Sequence, residues 1–227
     1  MASALVFGGG GQIGAACADA LREQRLDVIA TGRTANEAAG IAAYDPFADK
    51  LALPGEARFE AVVWAQGANL NDSILDFDLG RHKAIYEANV LFVLESLHAL
   101  LESDRLARGA RLCVISSVWQ TAARPNKLSY MVSKAALQGL VLSAATDLAE
   151  RGILVNAVLP GALDTPMTRQ NLTAEQIGQI AGMTRFGRLP ALGDVAALVG
   201  FLCSAANTSI TGQFVAVDLG FQNARLV

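Results

Sequence analysis

Short apolar runs alternate along this chain with longer stretches whose apolar positions recur every three or four residues. The short runs are Ala4–Phe7, Asp27–Ala30, Ala61–Trp64, Arg111–Ile115, Leu154–Val158 and Phe214–Val217, each of strand length. The longer stretches predict helices over Ile13–Gln24, Arg81–Leu101, Ser129–Arg151 and Gly193–Ser204. A further strand is expected across Ala42-Ala43-Tyr44, ending at Asp45. Strands that are apolar throughout, rather than at every second residue, read as buried on both faces. The pattern therefore predicts an α/β fold, a doubly wound parallel sheet with helices on both faces. One connection departs from it: Thr34–Gly40 has room for two helical turns at most, so the cover beside the second strand should be thin.

Composition narrows the picture. With 227 residues, 52% hydrophobic and 17% charged, the chain can bury a large core, and a single domain spanning 1–227 is expected. A formal charge of −3 without a Lys/Arg-rich run argues against nucleic-acid binding. No uninterrupted apolar run approaches the roughly 18 residues of a membrane span, so no membrane partner is expected. Met1-Ala2-Ser3 leads straight into a strand, without the basic start of a signal peptide. Cys17, Cys113 and Cys203 are distant in sequence and sit among apolar neighbours, as buried thiols do. His82 and His98 lack partners at metal-ligand spacing, so no metal is expected. A reduced, cytoplasmic protein is the simplest expectation.

Candidate chemistry begins after the first strand, at Gly8-Gly9-Gly10-Gly11-Gln12-Ile13-Gly14. A pyrophosphate needs backbone N–H groups at close range, and glycines at a strand-to-helix turn permit both the turn and the approach. In this context the glycines predict a dinucleotide site on a Rossmann-type sheet. An acid near the end of the second strand would read a ribose 2′-hydroxyl, but the sequence there is Ala30-Thr31-Gly32-Arg33-Thr34. Arg33 can pair with a 2′-phosphate instead, which favours NADP(H) over NAD(H), unless it only solvates the strand end. Asp45 either accepts from the adenine amino group or simply forms a turn before Pro46. Ala65 and Gly67 are small enough to let the backbone pass beneath the adenosine ribose.

Tyr130 and Lys134 stand four apart in a predicted helix, hence on one face, and Ser117 lies just beyond a strand end. A phenol with a pKa near ~10 is a poor base at neutral pH, and a neighbouring ammonium favours its ionised form.

Together, Gly8–Gly14, Asn89, Ser117, Tyr130-x-x-x-Lys134, Pro160-Gly161 and Thr165 resemble, in order and interval, the short-chain dehydrogenase/reductase family in its compact branch. The resemblance covers nearly the whole chain. It implies an NAD(P)-dependent oxidoreductase acting on a small carbonyl or secondary-alcohol substrate, a carbonyl reductase in the reductive direction. Tyr130 would be the general acid/base and Ser117 the donor to the substrate oxygen. Lys134 would bind the nicotinamide ribose and lower the Tyr130 pKa, and Asn89 would help hold a relay water. Gly8, Gly11, Gln12, Ile13 and Gly14 would form the phosphate turn, with Pro160, Gly161 and Thr165 along the nicotinamide. Two positions depart from the pattern: Gln12 replaces a usual glycine or alanine, and Trp64-Ala65-Gln66-Gly67 replaces an Asn-Asn-Ala-Gly-like element.

Residues 161–188 correspond to a mobile substrate lid in that family, and Met167, Leu172, Ile177, Ile180, Met183 and Phe186 are spaced as on a helix. A helix packed on the core is the plainer alternative. Arg169, Arg185 and Arg188 lie in this stretch with no assignable substrate acid. Trp119 either lines the substrate pocket or belongs to the core. Leu91, Val93, Leu94 and Leu97, with Leu137, Leu140, Val141 and Leu148, widen the apolar faces of two helices. In the family such helices form a four-helix interface, so a homodimer or homotetramer is expected. The alternative to an enzyme is a catalytically silent dinucleotide-binding regulator or scaffold. Epimerase or dehydratase chemistry is disfavoured for want of a second, substrate-binding domain.

Overall fold

Every apolar run of the sequence forms a strand, and all pair in parallel because each is followed by a crossover rather than a hairpin turn. In the computed structural model, which describes residues 2–48, 56–165, 168–169 and 173–223, the strands are β1 (Ser3–Phe7), β2 (Asp27–Gly32), β3 (Ile41–Ala43), β4 (Phe59–Trp64), β5 (Leu106–Ile115), β6 (Leu154–Pro160) and β7 (Phe214–Val217). Their order across the sheet is β3-β2-β1-β4-β5-β6-β7. The chain winds outward from β1 to β3, then returns to lay β4 against the other side of β1. That reversal leaves a crevice beyond the carboxyl ends of β1 and β4, where ligands of such sheets bind.

Helix α1 (Gln12–Glu23) and helix α6 (Leu192–Leu202) cover one face of the sheet. Cys17, Ala18, Leu21, Val195, Val199 and Leu202 are buried there against Ala4, Val6, Ala61 and Val63. The opposite face carries α2 (Leu79–Tyr86), a π-helical turn (Glu87–Leu91), α3 (Phe92–Glu102) and α4 (Leu128–Asp147). Val93, Leu97, Leu100, Leu137 and Val141 pack here on Leu5, Phe7, Val62 and Trp64. Each such side chain contributes about 1.5–3 kcal/mol on burial. Trp64 is fully buried and places its one polar group well, donating from Nε1 to Ser96 Oγ at 2.8 Å.

Leu79–Glu102 is one continuous helix of 24 residues, long and apolar enough by composition to cross a membrane. Its buried side chains instead form part of the sheet-covering core. The wide apolar faces expected of this helix and α4 divide accordingly. Val93, Leu97, Leu137, Val141 and Leu148 are buried, whereas Leu91, Leu94, Val132 and Leu142 face outward.

Three local departures have clear causes. Strand β5 begins at Leu106 rather than Arg111, and its pairing with β4 shifts register between Phe59 and Ala61. Gly109, at φ 76°, interrupts the apolar pattern there, so the first half of the strand is not visible in hydropathy. The helix read to Arg151 ends at Asp147, followed by a 3-10 turn (Ala149–Arg151) and left-handed Gly152. Between β2 and β3 only one 3-10 turn (Glu37–Ala39) forms, capped by Asn36, and Arg33–Gly40 is exposed throughout. The thin cover expected on that side is real.

Cys17, Cys113 and Cys203 are all free and buried. Folding brings them together on the α1/α6 face of the sheet, where burial pushes the Cys17 thiol up to about 12. The Cys17 and Cys113 thiols, both raised, stay protonated and behave as small apolar groups.

Candidate active site

The turn after β1 is shaped by steric exclusion. Gly8 has φ 78°, and a Cβ there would lie 2.5 Å from the backbone N of Gln66. A Cβ on Gly14 would lie 2.1 Å from the carbonyl oxygen of Gly8. Gly8 thus lets β1 meet the loop after β4, and Gly14 lets α1 enter directly beneath the turn. Helix α1 starts with no side-chain cap and no acid in its first turn. Its leading N–H groups, including those of Gln12 and Ile13, are left for a ligand, and the helix dipole favours an anionic one.

The crevice is a groove of about 1600 Å³ that continues into a smaller cavity of about 320 Å³. Ala65, Gln66 and Gly67 line both and form the step between them. Gly8, Gly11, Arg33 and Asp45 line the groove. Ile13, Ser117, Tyr130, Lys134 and Gly161 line the smaller cavity. Arg33 is exposed and engages no partner among the described residues, so its guanidinium is free to meet a phosphate. Asp45 accepts from the N–H of Phe47 at 3.0 Å, forming the turn at Pro46 while still facing the groove.

Gln12, Gly14, Pro160 and Thr165 line neither space. Gly14 acts through packing, and Pro160 closes β6 immediately before Gly161. Thr165 is buried and its hydroxyl engages Thr168, accepting from that residue's N–H at 3.1 Å.

On the catalytic side, Ser117 leaves the end of β5 and Tyr130 and Lys134 project from the first turns of α4. Ser117 hydrogen-bonds Tyr130, which pulls the phenol's pKa down, but burial outweighs this and holds it above its ordinary value. The lowering expected from Lys134 is not seen in this arrangement. Lys134 is itself driven down to about 8 by burial, and its Nζ donates to the carbonyl oxygen of Ile115 at 3.0 Å. At neutral pH Tyr130 is therefore a protonated phenol, the form that donates to a carbonyl oxygen.

Asn89 sits in the π-helical turn, an irregularity of a kind often found at functional sites. Its Oδ1 accepts from the N–H of Ala68 at 2.7 Å, and its Nδ2 donates to Ala68 O at 3.1 Å and Ser133 Oγ at 2.9 Å. The carboxamide thus ties the loop after β4 to α4, one residue before Lys134. Gly67 passes directly over this junction; a Cβ there would lie 3.0 Å from Asn89 Oδ1 and 3.7 Å from Lys134 Nζ.

Several site residues were not singled out in the sequence. Asp72 is buried and accepts from the N–H and hydroxyl of Ser129, capping α4 from a distant loop. His82 Nδ1 lies 2.9 Å from the same hydroxyl. No group of metal-ligating side chains occurs among the described residues. Gln66 has a buried Oε1 with no partner among the described residues, at the step between groove and cavity. Asn69, Arg124 and Lys127 line the smaller cavity, and nothing in their spacing signals it. Trp119 lines it too, with Phe221 edge-on at 5.6 Å, and also packs against the core, so it takes part in both. In the stretch 161–188, Met167 and Leu172 lie outside the described residues. Helix α5 (Ala174–Gly182) starts with a Thr173/Gln176 capping box. Met183 and Phe186 beyond it are exposed rather than packed on the core.

The geometry agrees with the comparisons to known proteins. Residues 56–222 match the family described as Enoyl-(Acyl carrier protein) reductase, well over half of the chain. The chain belongs to the short-chain dehydrogenase/reductase family. It is 30% identical over 234 residues to the 3-oxoacyl-acyl-carrier-protein reductase FabG of Salmonella typhimurium, covering 96% of each. It is 32% identical over 165 residues to a cyclopentanol dehydrogenase of Comamonas testosteroni, covering 72% of this chain and 66% of that one. A short chain dehydrogenase family protein from Francisella tularensis superposes with a TM-score of 0.85 at 25% identity, covering 99% of this chain and 100% of that one. A gluconate 5-dehydrogenase from Burkholderia cenocepacia, solved with NADP and tartrate, shares the fold at a TM-score of 0.87 and 24% identity, covering 99% and 96%. Membership makes this chain an oxidoreductase of the nicotinamide-dependent type.

Proposed function

We propose that this protein transfers a hydride between NADP(H), in preference to NAD(H), and a small carbonyl or secondary-alcohol substrate, with Tyr130 as general acid/base. The observation that carries this reading is the meeting of Ser117, Tyr130 and Lys134 on the wall of one cavity that opens into the glycine-lined groove. The groove fits a dinucleotide. It has an uncapped helix N-terminus, glycines where a Cβ would collide, an unpartnered Gln66 oxygen and a free Arg33 at its far end.

The cofactor would supply the hydride, and the protein the positioning and the proton. Gly8, Gly11, Gln12, Ile13 and Gly14 would seat the pyrophosphate, Arg33 the 2′-phosphate, and Asp45, Ala65 and Gly67 the adenosine. Gly161, with Pro160 and Thr165 behind it, would border the nicotinamide. Ser117 holds the substrate oxygen and Tyr130 exchanges a proton with it, while Lys134 contacts the ribose. Asn89 fixes the loop and α4 relative to one another, and through its location serves the proton path. Residues 1–227 act as one domain, with 161–188 closing over the substrate. The exposed Met183 and Phe186 support that role, since an apolar surface left unpacked in the open form can cover a ligand. Exposed Leu91, Leu94, Val132 and Leu142 support assembly into a cytoplasmic homodimer or homotetramer.

The test is a fluorescence titration with NADPH and NADH on the wild type and on Arg33→Ala, followed by a panel of ketones. The expected result is tighter NADPH binding, weakened about 10-fold in Arg33→Ala with NADH unchanged, and ketone-dependent oxidation of NADPH. Equal NADH binding unaffected by Arg33→Ala would overturn the NADP(H) preference. Binding of neither cofactor would overturn the enzyme reading and leave a silent scaffold.

A further inference from the structure

The smaller cavity carries an electrostatic imbalance that the hydride-transfer chemistry does not use. Among the described residues, three cations, Arg124, Lys127 and Lys134, line its wall and no Asp or Glu does. Lys134 is committed to the Ile115 carbonyl. The other two remain to be explained.

Lys127 is 7% exposed, and its ammonium donates to Asn69 Oδ1 and Asn71 Oδ1, each at 2.6 Å. Both partners are neutral, and an ammonium has three N–H groups, so one donor is left over. The cation stands 5.5 Å from the Tyr130 ring centroid, one helical turn from the phenol. Asp72 is the acid that acts on it, but both Asp72 oxygens are held by Ser129.

Arg124 lies over the Trp119 ring at 5.7 Å and engages no hydrogen-bond or ion-pair partner among the described residues. Arg169 and Arg188 differ: Arg169 is clamped by both oxygens of Asp164 at 2.8 Å, and Arg188 faces Asp194 at 3.7 Å. Burial and the nearby Arg124 both push the Lys127 pKa down, so each added positive charge makes the other less comfortable. Lys127 is buried, with the Asp72 that acts on it already shared with Ser129, and Arg124 is exposed beside it, so an anion arriving in the cavity would meet two positive charges at once.

We propose that the substrate carries an anionic group, a carboxylate or a phosphate, seated between Lys127 and Arg124 within a few atoms of the carbonyl that faces Tyr130. The inference rests on the reductase reading above and adds the substrate class. A cavity of about 320 Å³ that Gly161 and Lys134 also give to the nicotinamide end of the cofactor leaves room for a small substrate only, such as a short oxo acid or a phosphorylated ketone. Lys127 supplies a fixed point charge and Arg124 a planar fork at the mouth, so the pair selects charge without demanding one anion geometry.

The experiment uses two matched pairs of ketones, acetoacetate with its ethyl ester and dihydroxyacetone phosphate with dihydroxyacetone. Binding to the full chain is measured by calorimetry, and turnover with NADPH is measured in parallel. The charged member of at least one pair should bind about 10-fold tighter or better. Whichever pair shows the preference identifies carboxylate or phosphate. Arg124→Ala and Lys127→Met should each reduce that preference several-fold, Arg124→Ala being a surface change that leaves folding untouched. Equal or weaker binding of the charged members in both pairs would overturn the proposal. So would a preference that survives both substitutions. If the charge preference is present but no ketone is turned over, the anion seat stands and the reductase reading fails.

Discussion

The two halves of the crevice are built by opposite means. On the nucleotide side, around β1, β2 and β3, the surface is largely backbone: glycines, a bare helix start and an exposed turn. On the catalytic side, around β5 and α4, it is side chains held by other side chains, with Asn89, Asp72 and Asn69 each reaching in from another segment. The first half tolerates almost no added atoms at a few points and is otherwise permissive. The second tolerates changes of size poorly for a different reason, because each hydrogen bond fixes a neighbour that carries chemistry. The lesson is that a site can be specified by exclusion in one region and by attachment in the next.

Substitutions can separate the two. The largest effect is expected from Tyr130→Phe, which removes the proton donor and its hydrogen bond to Ser117 while keeping the ring. Turnover should fall about a hundred- to ten-thousand-fold, with NADPH affinity unchanged within about threefold. Steady-state kinetics and fluorescence titration read the two quantities separately, and a parallel loss of binding would show that the halves are not independent.

A smaller effect, on the other side, is expected from Gly14→Ala. Its added Cβ would meet Gly8 O at 2.1 Å, so the turn must move. NADPH affinity should drop about 100-fold and folding stability by about 2 kcal/mol, measured by titration and denaturant unfolding. Unchanged affinity would mean that the turn does not carry the cofactor phosphates.

The smallest effect concerns Lys134. Its folded pKa of about 8 lies below the ordinary 10.5, because burial disfavours the charged amine. Between those two values the unfolded chain holds a proton that the folded chain has lost, so stability should rise with pH across that window. The slope should be about 1 kcal/mol per pH unit at most, and Lys134→Met should flatten it. A wild type whose stability stays flat relative to Lys134→Met between pH 8 and 10.5 would show that Lys134 keeps its charge on folding.

Much of the fold was readable beforehand because it rests on local signals. Apolar runs such as Ala61–Trp64 can only be satisfied between two helical layers, and Tyr130 and Lys134 share a face in any helix. Strand β5 was half invisible, since Gly109 and the shifted pairing beside it leave no hydropathy signature. The thin cover after Arg33 could be anticipated because Thr34–Gly40 has room for two helical turns at most. The partners of Asn89 could not, as Ala68 and Ser133 are 21 and 44 residues away.

By itself, then, the sequence determined the parallel α/β architecture, the glycine turn and the helical pairing of Tyr130 with Lys134. These follow from the period of hydrophobic residues and from backbone sterics, which act over a few neighbours at a time. Only the tertiary structure decided that Asn69, Arg124 and Lys127 share a cavity with Tyr130, that three distant thiols meet in one core, and that burial raises the phenol and lowers the amine. Those outcomes depend on which surfaces are removed from water together, and desolvation is a property of the packed assembly of elements rather than of any one segment.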